Sequence, residues 1–165
     1  LVRPGKPPEL SSFRFLVFDF DGVMTDNRVH VDEDGQETVV CHRGDGMGLA
    51  ALKDAGLSLA VLSTETNGVV RARCEKLGIP FRQALQDKGT ALREWVAEAG
   101  VPMEEVVFVG NDVNDLECMR LAGLAVTVAD AHPAVLRNAQ WILSKEGGRG
   151  AVRELCDLFL EKGPK

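Results

Sequence analysis

The sequence predicts a three-layer α/β domain, a parallel central sheet with helices on both faces. Four short apolar runs, Phe15–Phe18, Leu57–Leu62, Val106–Val109 and Leu124–Val128, are rich in β-formers and bounded by Gly, Asp or Ser. Helical patterns fill the intervals, and strands alternating with helices of that length imply right-handed crossovers and a parallel sheet. Polar residues suited to chemistry collect where the apolar runs stop, the edge at which open α/β sheets bind ligands.

The elements follow in order. The chain opens with Leu1 and RPGKPPEL, read as a flexible terminus or linker over residues 1–12. The domain proper is expected over 13–162, as one domain of a longer protein. The first strand runs into FLVFDFDGVMTD and ends in Asp19 and Asp21. Residues 28–42, RVHVDEDGQETVVCH, break the alternation and predict a β-hairpin turning at Asp34-Gly35. Its Val29, Val31, Val39 and Cys41 alternate with polar neighbours. Helical patterns at Gly48–Ala55, Gly68–Leu77, Gly89–Ala99 and Val113–Leu121 each end at or near a glycine, as helix C-termini do. A last helix, Ala151–Leu160, follows KEGGRG.

Composition narrows the function classes. At 45% hydrophobic and 27% charged, the chain has the content of a globular domain. A net charge of −6 argues against a nucleic-acid or anionic-membrane surface. No apolar run reaches the roughly 18 residues of a membrane span, and no signal peptide is visible. Cys41, Cys74, Cys118 and Cys156 lie far apart with no CxxC, the pattern of free thiols in a reducing cytoplasm.

The strand ends carry the chemistry. Period two sets Asp19 and Asp21 on one side of the extended chain. Buried side by side, ionised carboxylates cost several kcal/mol each without a cation. The second strand ends in Ser63-Thr64, VVFVGNDVND ends in Asn111, Asp112 and Asp115, and Asp87-Lys88 opens a helix between them. Two close carboxylates and a third acid from another strand form a hard-oxygen site suited to Mg²⁺, which keeps water positions for a phosphate. A lysine and a hydroxyl balance the charge of a phosphoryl group.

These residues resemble the haloacid dehalogenase-like (HAD) phosphohydrolases, whose four motifs are matched in order by DFDGVMT, Ser63 after LAVL, Lys88 and GNDVND. The resemblance implies a Rossmann-like fold in which Asp19 is the nucleophile and Asp21 the general acid and base. It implies that Ser63, Thr64 and Lys88 hold the phosphate, and that Asp19, the backbone carbonyl of Asp21 and the Asn111, Asp112, Asp115 region hold Mg²⁺. Only 41 residues (22–62) separate Asp21 from Ser63, and 24 (64–87) separate Ser63 from Lys88. Neither interval holds a cap domain, so the hairpin is the only flap. The chain is therefore similar to the capless 3-deoxy-D-manno-octulosonate 8-phosphate phosphatases, through GVMTD, RGDGMGLAAL, VADAHPAV and GGRGAVRELCDLFL. That group includes 2-keto-3-deoxynononate 9-phosphate phosphatases and a domain of acylneuraminate cytidylyltransferases. The resemblance implies a homotetramer with shared active sites. Glu65 stands where nononate enzymes carry a glutamate, and Arg73 and Arg149 are candidates for a sugar carboxylate. Asn111 replaces the usual metal-binding Asp. A competing expectation is a non-catalytic oligomerisation or regulatory module of a cytidylyltransferase; intact Asp19 and Asp21 favour the enzyme.

Overall fold

The computed structural model describes residues 8–163. The expected loose terminus therefore lies outside the described residues as far as residue 7. Within its remainder Leu10 is fully buried, so the packed body begins before residue 13.

The central sheet contains β1 (Phe15–Phe18), β4 (Ser58–Leu62), β5 (Phe81–Arg82), β6 (Val106–Gly110), β7 (Leu124–Thr127) and β8 (Trp141–Ile142). All neighbours pair in parallel, in the order β5-β4-β1-β6-β7-β8. The four expected strands are present; β5 and β8, two residues each, are edge strands too short to show a period. The hairpin is a separate two-stranded sheet of β2 (Thr25–Val31) and β3 (Glu37–Cys41), with a register shift between Thr25 and Val29.

Helices α1 (Arg43–Asp54), α2 (Val69–Leu77) and α6 (Ala151–Lys162) pack on one side of the sheet. On the other side lie α3 (Lys88–Ala99), α4 (Leu116–Leu121) and α5 (Pro133–Asn138). Because β1 lies between β4 and β6, the strand order reverses there, the crevice where such sheets take ligands. Helix α1 starts five residues before the expected Gly48, within RGDGMG. Glycine disfavours a helix, but a Cβ at Gly48 would stand 2.8 Å from Cys156 Cβ, so close packing of α1 on α6 requires it. The four cysteines are unpaired, three of them buried. Among the described residues no helix is long and apolar enough to cross a membrane.

Candidate active site

Parallel strands bring their carboxyl ends to one edge, and β1 delivers Asp19 there. The Asp19 N–H continues the ladder by donating to Val109 O at 2.8 Å, and the residue is 5% exposed. The chain then turns tightly. Phe20 O accepts from Met24 N at 2.9 Å, and the buried Thr25 Oγ1 accepts from Gly22 N at 3.1 Å and Asn27 N at 3.2 Å. Gly22 sits at φ +82°, and a Cβ there would fall 1.9 Å from Asn111 Nδ2. The glycine-rich segment before α6 braces this turn: Gly148 N donates to Val23 O at 3.1 Å.

A buried ion network lies behind the turn. Lys88 Nζ donates to Asp19 Oδ1 at 2.7 Å and to Asp115 Oδ1 at 2.6 Å. Asp115 Oδ2 accepts from the amides of Asn111 and Asp112 at 2.9 and 3.2 Å. One ammonium thus faces two buried carboxylates. Burial, and then the Asp115 charge, push the Asp19 carboxyl up to about 7 despite Lys88. Burial opposes the charge on Lys88, but Asp19 and Asp115 outweigh it and hold the ammonium above its ordinary range. The network is short of one positive charge.

The Asn111 side chain shows where a cation fits. Turned with Nδ2 inward, its amide donates to Asp21 O at 2.9 Å and Asp19 Oδ2 at 3.0 Å. Turned the other way, three oxygens converge: a carboxylate, a backbone carbonyl and an amide. An octahedral ion with Mg²⁺-like bond lengths spaces adjacent ligand oxygens about 2.9 Å apart, so this set fits such an ion. Among the described residues no three His, Cys, Asp or Glu side chains lie close enough to hold a metal. Two of the other acids expected there are engaged with the protein itself. Asp115 is fully buried with its oxygens on Lys88 and the loop amides, and Asp112 Oδ1 accepts from Val113 N at 2.7 Å. Asp21 offers its carbonyl, leaving its carboxyl free for other work.

Asp19, Asp21, Asn27, Thr64, Asn111, Asp112 and Asn114 line a cavity of about 100 Å³. Ser63 is buried after β4, and its Oγ accepts from Glu65 N at 3.0 Å. Glu65 Oε1 accepts from the amides of Thr66 and Asn67 at 2.7 and 2.8 Å. Within 63–67 the Thr64 N–H alone has no acceptor among the described residues, a donor left at the cavity wall.

A neighbouring cavity of about 240 Å³ shares Asp21 and Asn27 and adds Glu37 and Glu65. Burial, and then the Glu65 charge, raise the Asp21 carboxyl above its usual range. Arg28 lines this cavity, but its guanidinium is held by Asp26 at 2.7 Å. Arg73 and Arg149, expected to meet a substrate, line neither cavity of their own chain. Arg73 Nη2 donates to His42 O at 3.3 Å, and Arg149 pairs with Glu146 at 3.2 Å. Sequence reasoning missed Asn27, Glu37 and Asn114. Asn27 takes a left-handed φ of 63° at the hairpin's register shift, for which Asn is a recognisable residue. A larger cavity of about 480 Å³, lined by Lys53, Leu57, Pro80 and Trp95, opens at the opposite edge of the sheet.

A sequence profile described as haloacid dehalogenase-like hydrolase matches residues 83–155. The chain is 37% identical over 155 residues to the 3-deoxy-D-manno-octulosonate 8-phosphate phosphatase of Haemophilus influenzae, covering 93% of this chain and 86% of that protein. Its fold matches a crystal structure of a HAD family hydrolase from Streptomyces avermitilis with a TM-score of 0.89 and 47% identity, over 91% and 86% of the two chains. It also matches the 3-deoxy-D-manno-octulosonate 8-phosphate phosphatase of Moraxella catarrhalis, solved with magnesium, phosphate and KDO. That TM-score is 0.89 at 32% identity, over 93% and 88% of the chains.

Proposed function

The chain belongs to the haloacid dehalogenase-like hydrolases and is a phosphatase; on that premise we propose that it hydrolyses a phosphorylated 2-keto-3-deoxy sugar acid, of the octulosonate 8-phosphate or nononate 9-phosphate type. The working unit is 13–162, with Leu10 packed onto it, and Mg²⁺ is the cofactor. The observation that carries this reading is the meeting of Asp19, Asp21, Thr64, Asn111 and Asp112 around one small cavity at the strand-order reversal.

The residues divide the work. Asp19 attacks phosphorus, the P–O bond to the sugar breaks, and Asp21 gives its proton to the leaving oxygen. The raised Asp21 carboxyl favours this protonated form. Asp21, now a carboxylate, takes a proton from water; the water oxygen displaces Asp19 from phosphorus, and inorganic phosphate leaves. Lys88 holds Asp19, while Ser63 and the Thr64 N–H hold phosphoryl oxygens. Mg²⁺, when held by Asp19, the Asp21 carbonyl and the Asn111 amide oxygen, supplies positive charge to the phosphoryl group.

The 240 Å³ cavity takes the sugar, with Glu65 and Glu37 accepting from hydroxyls. Its one lining arginine is held by Asp26, which favours a substrate carboxylate bound by Arg149 of a neighbouring copy. A homotetramer built on the hairpins fits the exposure of Val29 (49%) and Val31 (59%) on one face of the hairpin. The four unpaired thiols suit the cytoplasm.

A phosphate-release screen over sugar-acid phosphates, with Mg²⁺ and with chelator, tests this reading. Mg²⁺-dependent release from an eight- or nine-carbon keto-deoxy acid phosphate is expected. Equal rates from wild type and Asp19→Asn would remove Asp19 from the mechanism. Light scattering tests the assembly, and a stable, fully active monomer would overturn it.

A further inference from the structure

We propose that Gln83 is a positioning residue for phosphate binding, which holds the loop after β4 so that Ser63 and the Thr64 N–H meet the phosphoryl group; this rests on the roles given to Ser63 and Thr64 above. Gln83 follows the edge strand β5, outside the cavity. Its Nε2, with two hydrogens to share, lies within donating distance of three successive carbonyls of the loop, Thr66 O and Asn67 O at 3.2 Å and Glu65 O at 3.4 Å. The backbone around it grips the same loop. Ser63 N donates to Arg82 O at 2.9 Å, Ala84 N to Glu65 O at 2.9 Å, and Leu85 N to Ser63 O at 3.2 Å.

The direction of the free donor follows from these bonds. In a planar trans peptide the N–H points opposite the preceding C=O. The Leu85 bond fixes Ser63 O toward the 82–85 segment and so aims the Thr64 N–H away from it. Gln83 turns the carbonyls of Glu65, Thr66 and Asn67 to the same side, leaving the Thr66 and Asn67 amides to Glu65.

A second observation is independent. Ala84 is held at φ +58°, a left-handed conformation that alanine rarely adopts. Such strain persists where surrounding contacts over-determine the backbone, and it clusters at functional sites. Here it lets Ala84 and Leu85 both reach the loop. The sheet cannot do this unaided, because β5 is two residues long and lies at the edge.

The test compares Gln83→Met, of similar size but without donors, with Gln83→Lys, whose ammonium can donate to the same carbonyls. The readouts are the inhibition constant for inorganic phosphate, KM and kcat taken separately, and the melting temperature. Small displacements of a binding group cost up to about 100-fold, so Gln83→Met should raise the phosphate inhibition constant and KM about 10-fold or more. Gln83→Lys should recover much of that loss. A lowered melting temperature with unchanged phosphate inhibition would make Gln83 a structural prop only and overturn the proposal. Equal impairment in the Lys and Met variants would overturn it as well. Ser63→Ala separates the two levels. If Ser63→Ala weakens phosphate binding and Gln83→Met does not, only the role of Gln83 falls. If neither does, the loop assignment falls with it.

Discussion

Two cations in this molecule each stand between two acids, in opposite surroundings. Lys88 lies between Asp19 and Asp115 with its side chain 2% exposed. Arg82 lies between Glu94 and Glu98 with its side chain 30% exposed and its guanidinium 4.7 Å from the centre of the Trp95 ring. Water screens the surface cluster, where a pair contributes about 0–1 kcal/mol. It cannot screen the buried one, whose two carboxylates and single ammonium leave excess negative charge. The surface cluster decorates a finished fold. The buried cluster keeps a deficit of positive charge, which a divalent ion would reverse, so that an anionic phosphoryl group could be received beside it.

The largest effect should come from Asp19→Asn. An amide cannot become an aspartyl-phosphate, so kcat should fall by about 10⁴-fold or more in a phosphate-release assay. The same variant reports the deficit through stability. In chelated wild type the Asp19 carboxyl sits near 7 against an ordinary 3.8. Between those values the folded protein keeps a proton that the unfolded chain releases, so stability should fall as pH rises through the window. Urea melts at several pH values should show that slope in wild type and its loss in Asp19→Asn.

Lys88→Met comes next, at about 3–5 kcal/mol of unfolding free energy, because two buried carboxylates lose their partner. A loss below about 1 kcal/mol would erase the contrast with Arg82. Asn111→Asp sharpens it. The added charge should tighten Mg²⁺ activation about 10-fold, a change of about 1.4 kcal/mol, and lower stability in chelator. Unchanged metal dependence would return Asp112 to the ligand set. The smallest effect belongs to Arg82→Ala. It should cost about 1 kcal/mol or less, diminished by salt, since only surface pairs and one cation–π contact are lost.

The same contrast explains what the sequence made legible. Strand ends in a parallel sheet share one edge, so Asp19, Asp21, Ser63 and Lys88 could be assembled on paper from order and spacing. Asp115 could not be distinguished from Asp112. Its commitment to Lys88 depends on which way the turn at Val113–Asp115 aims its oxygens. Nor could the sequence show that Arg73, a candidate for a sugar carboxylate, meets the His42 carbonyl within its own chain, a contact set by the phase of α2. Gln83 and Glu37 give no periodic signal, and their neighbours come from elsewhere in the chain. The helical pattern was legible from Gly48 and not from Arg43 because propensity is local, whereas the α1–α6 contact at Gly48 spans about two thirds of the sequence.

The bond from Gly148 to Val23 has a consequence for biosynthesis. The turn that carries Asp19 and Asp21 is among the first parts of this domain to leave the ribosome, and its brace is among the last, because domains emerge from the N-terminus at about 5–20 residues per second. The turn after β1 therefore waits through most of translation for the segment that steadies it. A nascent chain stalled before residue 148 can build most of the sheet while the turn after β1 still lacks this hydrogen bond.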